Sequence, residues 1–186
     1  MLVVHLKNKI PMLIREATAH DLDVLAMLVS TSNSDVALEF NLNSQNSPKH
    51  PSFCTPAWIE QDLARDERYF ILEQEGQARA CVAYERPQDA LAYLNRLSVL
   101  PAYRNQGLGA RLVRFIVKLA SSDAVNVISI GVIGEHLRLQ RWYGQLGFTS
   151  GARKQFAHLP FAVQYMSYAV KADESETSGN TATAAG

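Results

Sequence analysis

The segment Arg104-Asn105-Gln106-Gly107-Leu108-Gly109 has the residue types needed to hold an anion. It lies between a strand-like run that ends at Leu100 and a helical stripe that begins at Leu108. The first amides of a helix have no intrahelical acceptor and sit at the positive end of its dipole, and glycines let a phosphate approach them without a Cβ in the way. The segment is not a Walker loop, because no Gly-Lys-Ser/Thr follows, and Leu112 stands where a dinucleotide fingerprint has its third glycine. A glycine pair before a helix also makes a plain turn, so its meaning depends on what surrounds it. Elsewhere, Cys54 and Cys81 match neither a disulfide framework nor a CxxC zinc site. The five histidines show no ligand spacing, so no metal is expected.

The elements that position this segment follow from hydrophobic period and punctuation. Met12-Leu13-Ile14-Arg15-Glu16 reads as a first strand, and Thr18 as N-cap with Asp21 in the first turn opens a helix carrying Leu22, Leu25, Ala26 and Val29 on one face. That pattern stops at the polar cluster Ser30 to Ser34, and Asn41 to Pro51 reads as a long loop. Thr55-Pro56 opens a short helix with Trp58, Ile59 and Leu63 inward. Tyr69 to Gln74 and Ala78 to Glu85 flank Glu75-Gly76-Gln77 as a hairpin, and a long strand runs from Leu91 to Leu100. Leu108, Leu112, Ile116 and Ala120 then mark a helix whose opposite side, Arg111, Arg114 and Lys118, reads as a solvated face. Val125 to Gly131 is a β-branched strand, His136 to Leu146 a helix stopped by Gly147, and Val163 to Val170 the last strand. This order predicts a mixed sheet in one α/β domain.

Composition narrows the partners. The chain has 186 residues, with 18 basic and 18 acidic side chains in balance and 47% hydrophobic content. Nothing here supplies a bulk basic field for nucleic acid, and no apolar run is long enough for a membrane span. His5, Lys7 and Lys9 interrupt the apolar start, so residues 1–11 read as an extension and not as a signal peptide. Residues 12–171 form the expected domain, and 172–186, without aromatic or large aliphatic residues, a disordered tail. Sparse, unpaired cysteines point to a cytoplasmic setting.

Leu97-Ser98-Val99-x-Pro101-x-x-Arg104-x-x-Gly107-x-Gly109, followed by Trp142-Tyr143-Gly144-Gln145-Leu146-Gly147-Phe148, resembles the GCN5-related N-acetyltransferase (GNAT) family. The likeness spans Met12 to Val170 and includes Ile14-Arg15-x-Ala17-Thr18-x-x-Asp21. It implies a single α/β domain with a mixed, mostly antiparallel, splayed central sheet flanked by helices, and acetyl-CoA as acetyl donor. By that resemblance Arg104 opens a loop whose backbone amides, Asn105, Gln106, Gly107, Leu108, Gly109 and Ala110, hold the pyrophosphate. Leu97 and Val99 would bond the pantetheine arm through their main chains, and Tyr143 would protonate the departing thiolate. His136 stands where many members carry an asparagine that touches the cofactor.

The implied reaction is direct transfer to a primary amine of a small molecule or peptide. The alternative is a non-catalytic acyl-CoA-binding module of the same fold. Relatives often place a glutamate on the strand corresponding to Leu91–Leu100, but this one carries no carboxylate. Tyr93, Glu85 or Glu135 are the candidates to take the ammonium proton, and Arg96 could bind an acidic group on the acceptor. Strict alternation predicts Tyr93, Asn95 and Leu97 on one face of the strand and Leu94 and Arg96 on the other. Acceptor choice is expected in Thr31 to Cys54 and Ser150 to Phe161, and an exposed last strand leaves a homodimer across a sheet edge open.

Overall fold

The computed structural model describes residues 11–171; the expected extension, except Pro11, and the expected tail lie outside the described residues. The elements are β1 (Met12–Glu16), α1 (Leu22–Glu39), α2 (Pro56–Leu63), β2 (Arg68–Gln74), β3 (Gln77–Gln88), β4 (Leu91–Val99), α3 (Leu108–Ser122), β5 (Val127–Ile133), α4 (Leu137–Gln145), β6 (Thr149–Gln155) and β7 (Ala162–Ala169). They form one seven-stranded sheet in the order β1-β2-β3-β4-β5-β7-β6. Every neighbouring pair is antiparallel except β4 and β5.

Both faces of the sheet are covered, because its central strands alternate two apolar sets. Phe70, Leu72, Val82, Ala92, Leu94 and Ile128 pack under α3 and α4, against Leu112, Ile116 and Tyr143. Tyr69, Ile71, Cys81 and Ala83 point the other way and pack under α1 and α2, against Leu25, Leu28 and Ile59. The β2–β3 turn has Glu75 at φ 54 and Gly76 at φ 73, the two positive values that a two-residue hairpin matched to strand twist requires.

Three elements differ from the sequence expectation. Helix α1 runs through the polar cluster to Glu39, because the small side chains bond back to the helix: Asn33 Nδ2 donates to Val29 O at 2.8 Å and Ser34 Oγ to Ser30 O at 2.9 Å. Strand β3 continues past Pro87, which falls where the pairing with β4 shifts register, so its missing N–H interrupts no regular ladder. Strand β6, for which the sequence carries no strand signal, runs into the Ser150 to Phe161 segment where acceptor choice is expected. All seven of its residues are exposed, and a polar edge strand with no buried face has no apolar alternation to announce it.

Thr18 caps the single turn Ala19–Asp21 that leads into α1, and Asp21 ties that turn to the sheet. Asp21 accepts from Thr18 N at 2.9 Å and from Arg15 at 2.8 and 2.9 Å, while Arg15 Nε also donates to Glu73 at 2.8 Å. The Arg15 guanidinium holds the Asp21 carboxyl well below the usual carboxylate range. A group with a depressed folded pKa contributes its full stability above the unfolded value and loses it as pH falls through the folded one. Asp21→Asn is therefore expected to cost about 2 kcal/mol at pH 7 in urea unfolding. The gap between wild type and variant should narrow steadily on acidification below the ordinary carboxylate range.

Candidate active site

The site begins where the sheet comes apart. Strands β4 and β5 pair only as Leu91↔Val127, Ala92↔Ile128 and Tyr93↔Ser129, and beyond these positions they diverge. Backbone groups on the facing edges of the two strands are thereby left open within a wedge. Because the strands are parallel, the wedge opens at their C-terminal ends, where the Arg104 loop and the start of α4 follow.

At the cradle arm of this wedge, Gly107 is the N-cap of α3, at φ 80 and with no side chain to bond the helix amides. Arg111 N is the first to reach back, to Gly107 O at 3.0 Å, so helix geometry leaves the amides of Leu108, Gly109 and Ala110 without intrahelical acceptors. A Cβ built on Gly107 would meet nothing within 4 Å, so the space before these amides is clear. Buried Leu108 anchors the helix start, whereas Asn105, Gln106 and Gly107 are exposed. Arg111, Arg114 and Lys118 are exposed on the far side of α3.

Arg104, which opens the loop, turns its side chain away from the cradle amides toward α1. Its guanidinium donates to both carboxylate oxygens of Asp35, to Ser32 O at 2.6 Å and to Val99 O at 3.2 Å. Gln106 Nε2 is directed back to Ala102 O at 3.4 Å.

Across the wedge, α4 brings Tyr143 into the core. Its ring is wedged edge-on between Trp142, at 4.8 Å, and Phe148, at 5.3 Å. Burial pushes its hydroxyl above the ordinary tyrosine range, so it is a phenol at neutral pH. Trp142, read from sequence as core, also reaches the cradle: its indole lies 3.4 Å from the Cβ position of Gly109. His136 at the start of α4 makes no side-chain cap; it is buried, 5.3 Å from the Phe40 ring, and burial lowers its pKa so that the imidazole is neutral.

The α1/α2 side of the wedge is ionic. Strand β4 carries a bulge where its pairing with β3 shifts register, with Arg96 at φ 53. This corrects the expected alternation: Arg96 projects to the same side as Asn95, donating to Asp62 at 3.3 Å and lying 5.7 Å from the Trp58 ring. Leu97 instead packs with the α3 core. Asn95 Nδ2 donates to both Glu67, at 2.9 Å, and Glu85, at 3.2 Å. Small Ala83, paired with both Asn95 and Tyr69, leaves room for that reach across β3. Tyr69 OH donates to Asp62 at 2.7 Å, and Arg65 pairs with the same carboxylate at 2.6 Å. Glu67 is buried, and desolvation raises its pKa.

Of the proton-acceptor candidates, Glu85 sits opposite Tyr93, which is itself the last β4 residue paired to β5. Glu135 is half exposed in an ion pair with Arg153. Sequence reasoning missed Asp62 and Glu67, which belong to no motif, and missed Ser32 and Asp35, which fall beyond its expected end of the first helix. Among the described residues no group of three or more His, Cys, Asp or Glu could hold a metal ion, and no helix is long and apolar enough to cross a membrane.

A sequence model described as "Acetyltransferase (GNAT) family" matches residues 36–148, which contain the cradle, both arms of the wedge and Tyr143. The chain belongs to the GNAT acetyltransferase family. No curated protein matches it. Among solved structures, the GNAT chain is similar to the ribosomal-protein-S18-alanine N-acetyltransferase from Escherichia coli, at 17% identity and TM-score 0.70, over 89% of this chain and 98% of that one. It is similar to YncA from Salmonella typhimurium, solved with its cofactor acetyl-CoA, at 18% identity and TM-score 0.63, over 90% and 99%. A ribosomal-protein-alanine N-acetyltransferase from Brucella melitensis matches at 20% identity and TM-score 0.62, over 84% and 99%. At these identities the likeness shows the fold, and the splayed, mostly antiparallel sheet is the GNAT architecture expected from the sequence.

Proposed function

We propose that this protein moves the acetyl group of acetyl-CoA directly to a primary amine of a small molecule or peptide. The observation that supports this most is the wedge between β4 and β5, with unpaired helix amides and a cleared glycine at its mouth. In this reading the amides from Asn105 to Ala110 bind the pyrophosphate. Leu97 and Val99 bond the pantetheine arm through their main chains, and neutral His136 donates to it from the facing arm. Holding amine and thioester together in one cleft supplies much of the rate.

The amine nitrogen forms a bond to the thioester carbonyl carbon, the carbon–sulfur bond breaks, the thiolate takes the Tyr143 proton, and the proton that the nitrogen gives up on becoming an amide returns to Tyr143. Glu85, bridged through Asn95 to Glu67, accepts the proton that the ammonium must lose before attack. Glu85→Gln is then expected to lower kcat/KM at pH 7 by about 100-fold. The deficit should shrink as pH rises, because the neutral amine then forms without help. A pH–rate profile parallel to that of wild type would remove Glu85 from this role.

The reading as a whole is tested by following free thiol release from acetyl-CoA across a panel of polyamines, aminoglycosides, amino acids and peptides. Turnover with any amine supports it. Calorimetric acetyl-CoA binding with silence across the panel would leave a binding module, and absence of binding would overturn the donor assignment.

A further inference from the structure

The two arms of the wedge share no strand pairing beyond Tyr93 and Ser129, yet both are fastened to the C-terminal half of α1. On the cradle side, Ser32 O and the Asp35 carboxylate accept from Arg104, and Asn33 Nδ2 donates to Ser98 Oγ of β4 at 3.3 Å. Arg104 Nε simultaneously holds Val99 O at the end of β4, so one guanidinium joins helix, strand and loop. On the other side, Ala37 and Leu42 pack with Ile133 at the end of β5, Phe40 meets the His136 ring, and Arg138 lies 3.7 Å from Glu39. Polar contacts thus fasten one arm and a mostly apolar cluster fastens the other, the contacts on α1 together spanning about two turns of the helix, from Ser32 to Glu39.

We propose that this half of α1 is a clasp that sets the opening of the wedge, with Asp35 a positioning residue for donor binding and Arg104 acting on acetyl-CoA through the clasp and not by touching its pyrophosphate. The inference rests on the donor reading above. Four hydrogen bonds already occupy the Arg104 fork. The ion pair holds Asp35 below its ordinary pKa and keeps the catch charged at neutral pH. Loss of either partner frees the loop from α1 and widens the space between Val99 and α4.

The test compares Asp35→Asn, Arg104→Gln and the double variant by calorimetry with acetyl-CoA, and by kinetics with acetyl-CoA and with S-acetylpantetheine, which lacks the pyrophosphate. The clasp predicts that each single variant raises the Kd of acetyl-CoA about 10-fold and that the double variant is no worse than either. It also predicts that kcat at saturating donor changes less than about two-fold, while KM for S-acetylpantetheine rises with the Kd of acetyl-CoA. An Asp35→Asn protein that binds acetyl-CoA like wild type, beside an Arg104→Gln protein impaired only with the pyrophosphate-bearing donor, would overturn the clasp in favour of direct contact. Asp35→Glu, which keeps the charge, should recover part of the affinity and serves where the asparagine variant is unstable. Wild type that binds no acetyl-CoA would bring down the donor reading; unaltered variants of a wild type that does bind would bring down the clasp alone.

Discussion

Gly107→Glu is expected to weaken acetyl-CoA binding severely while leaving the fold in place. Gly107 sits at φ 80 with nothing within 4 Å of its Cβ position, so a Cβ there meets no neighbour and the backbone cost is that of the left-handed region, about 1–2 kcal/mol. A glutamate, however, brings a carboxylate to the unpaired amides of Leu108, Gly109 and Ala110. It satisfies those amides from within and repels the phosphates that would otherwise use them. Calorimetry should show affinity reduced on the order of 100-fold or more, the scale of a like charge held within a few ångströms near a surface. Gly107→Ala is the control, because it carries the same backbone cost without the charge and should weaken binding only a few-fold. Equal losses in the two variants would mean that loop conformation, and not anion capture, is what Gly107 supplies.

Tyr143→Phe is expected to lower kcat by about 100-fold with the Kd of acetyl-CoA unchanged. The substitution keeps the ring that fills the space between Trp142 and Phe148, so packing and stability should hold within about 0.5 kcal/mol. What it removes is a proton. Burial raises the pKa of that phenol, so the proton is in place at neutral pH when the thiolate develops. The sign of the pH response separates this role from that of Glu85: raising the pH supplies free amine but no acid, so it should not rescue Tyr143→Phe. Single-turnover thiol release reads the step directly. A rate within two-fold of wild type would leave Tyr143 a core aromatic.

Legibility in the sequence followed periodicity. Helix α3 was readable because Leu108, Leu112, Ile116 and Ala120 meet one core and all four are buried. The turn into α3 was readable because a glycine before a helix has a local, backbone-level meaning, here the positive φ of Gly107. Helix α1 was cut short because a run of serine, threonine and asparagine reads as loop until side chains such as Asn33 and Ser34 are seen bonding to carbonyls of the same helix. Strand β6 was missed because it buries neither face, and the Arg96 bulge because its register shift belongs to the β3–β4 pairing and not to either strand alone.

By itself the sequence determined most of the element types, the glycine-bearing turn into α3 and the family resemblance, all carried by short spacings that each segment imposes on its own backbone. Only the tertiary structure decided which partner each charged group takes. Arg104 was read toward a pyrophosphate, yet its guanidinium lies against Ser32 and Asp35, far upstream in the chain. Glu67 and Glu85 meet through Asn95 only because β2, β3 and β4 lie side by side. Such pairings depend on sheet order and register, long-range choices made by the packing of two apolar faces, and no local spacing encodes them.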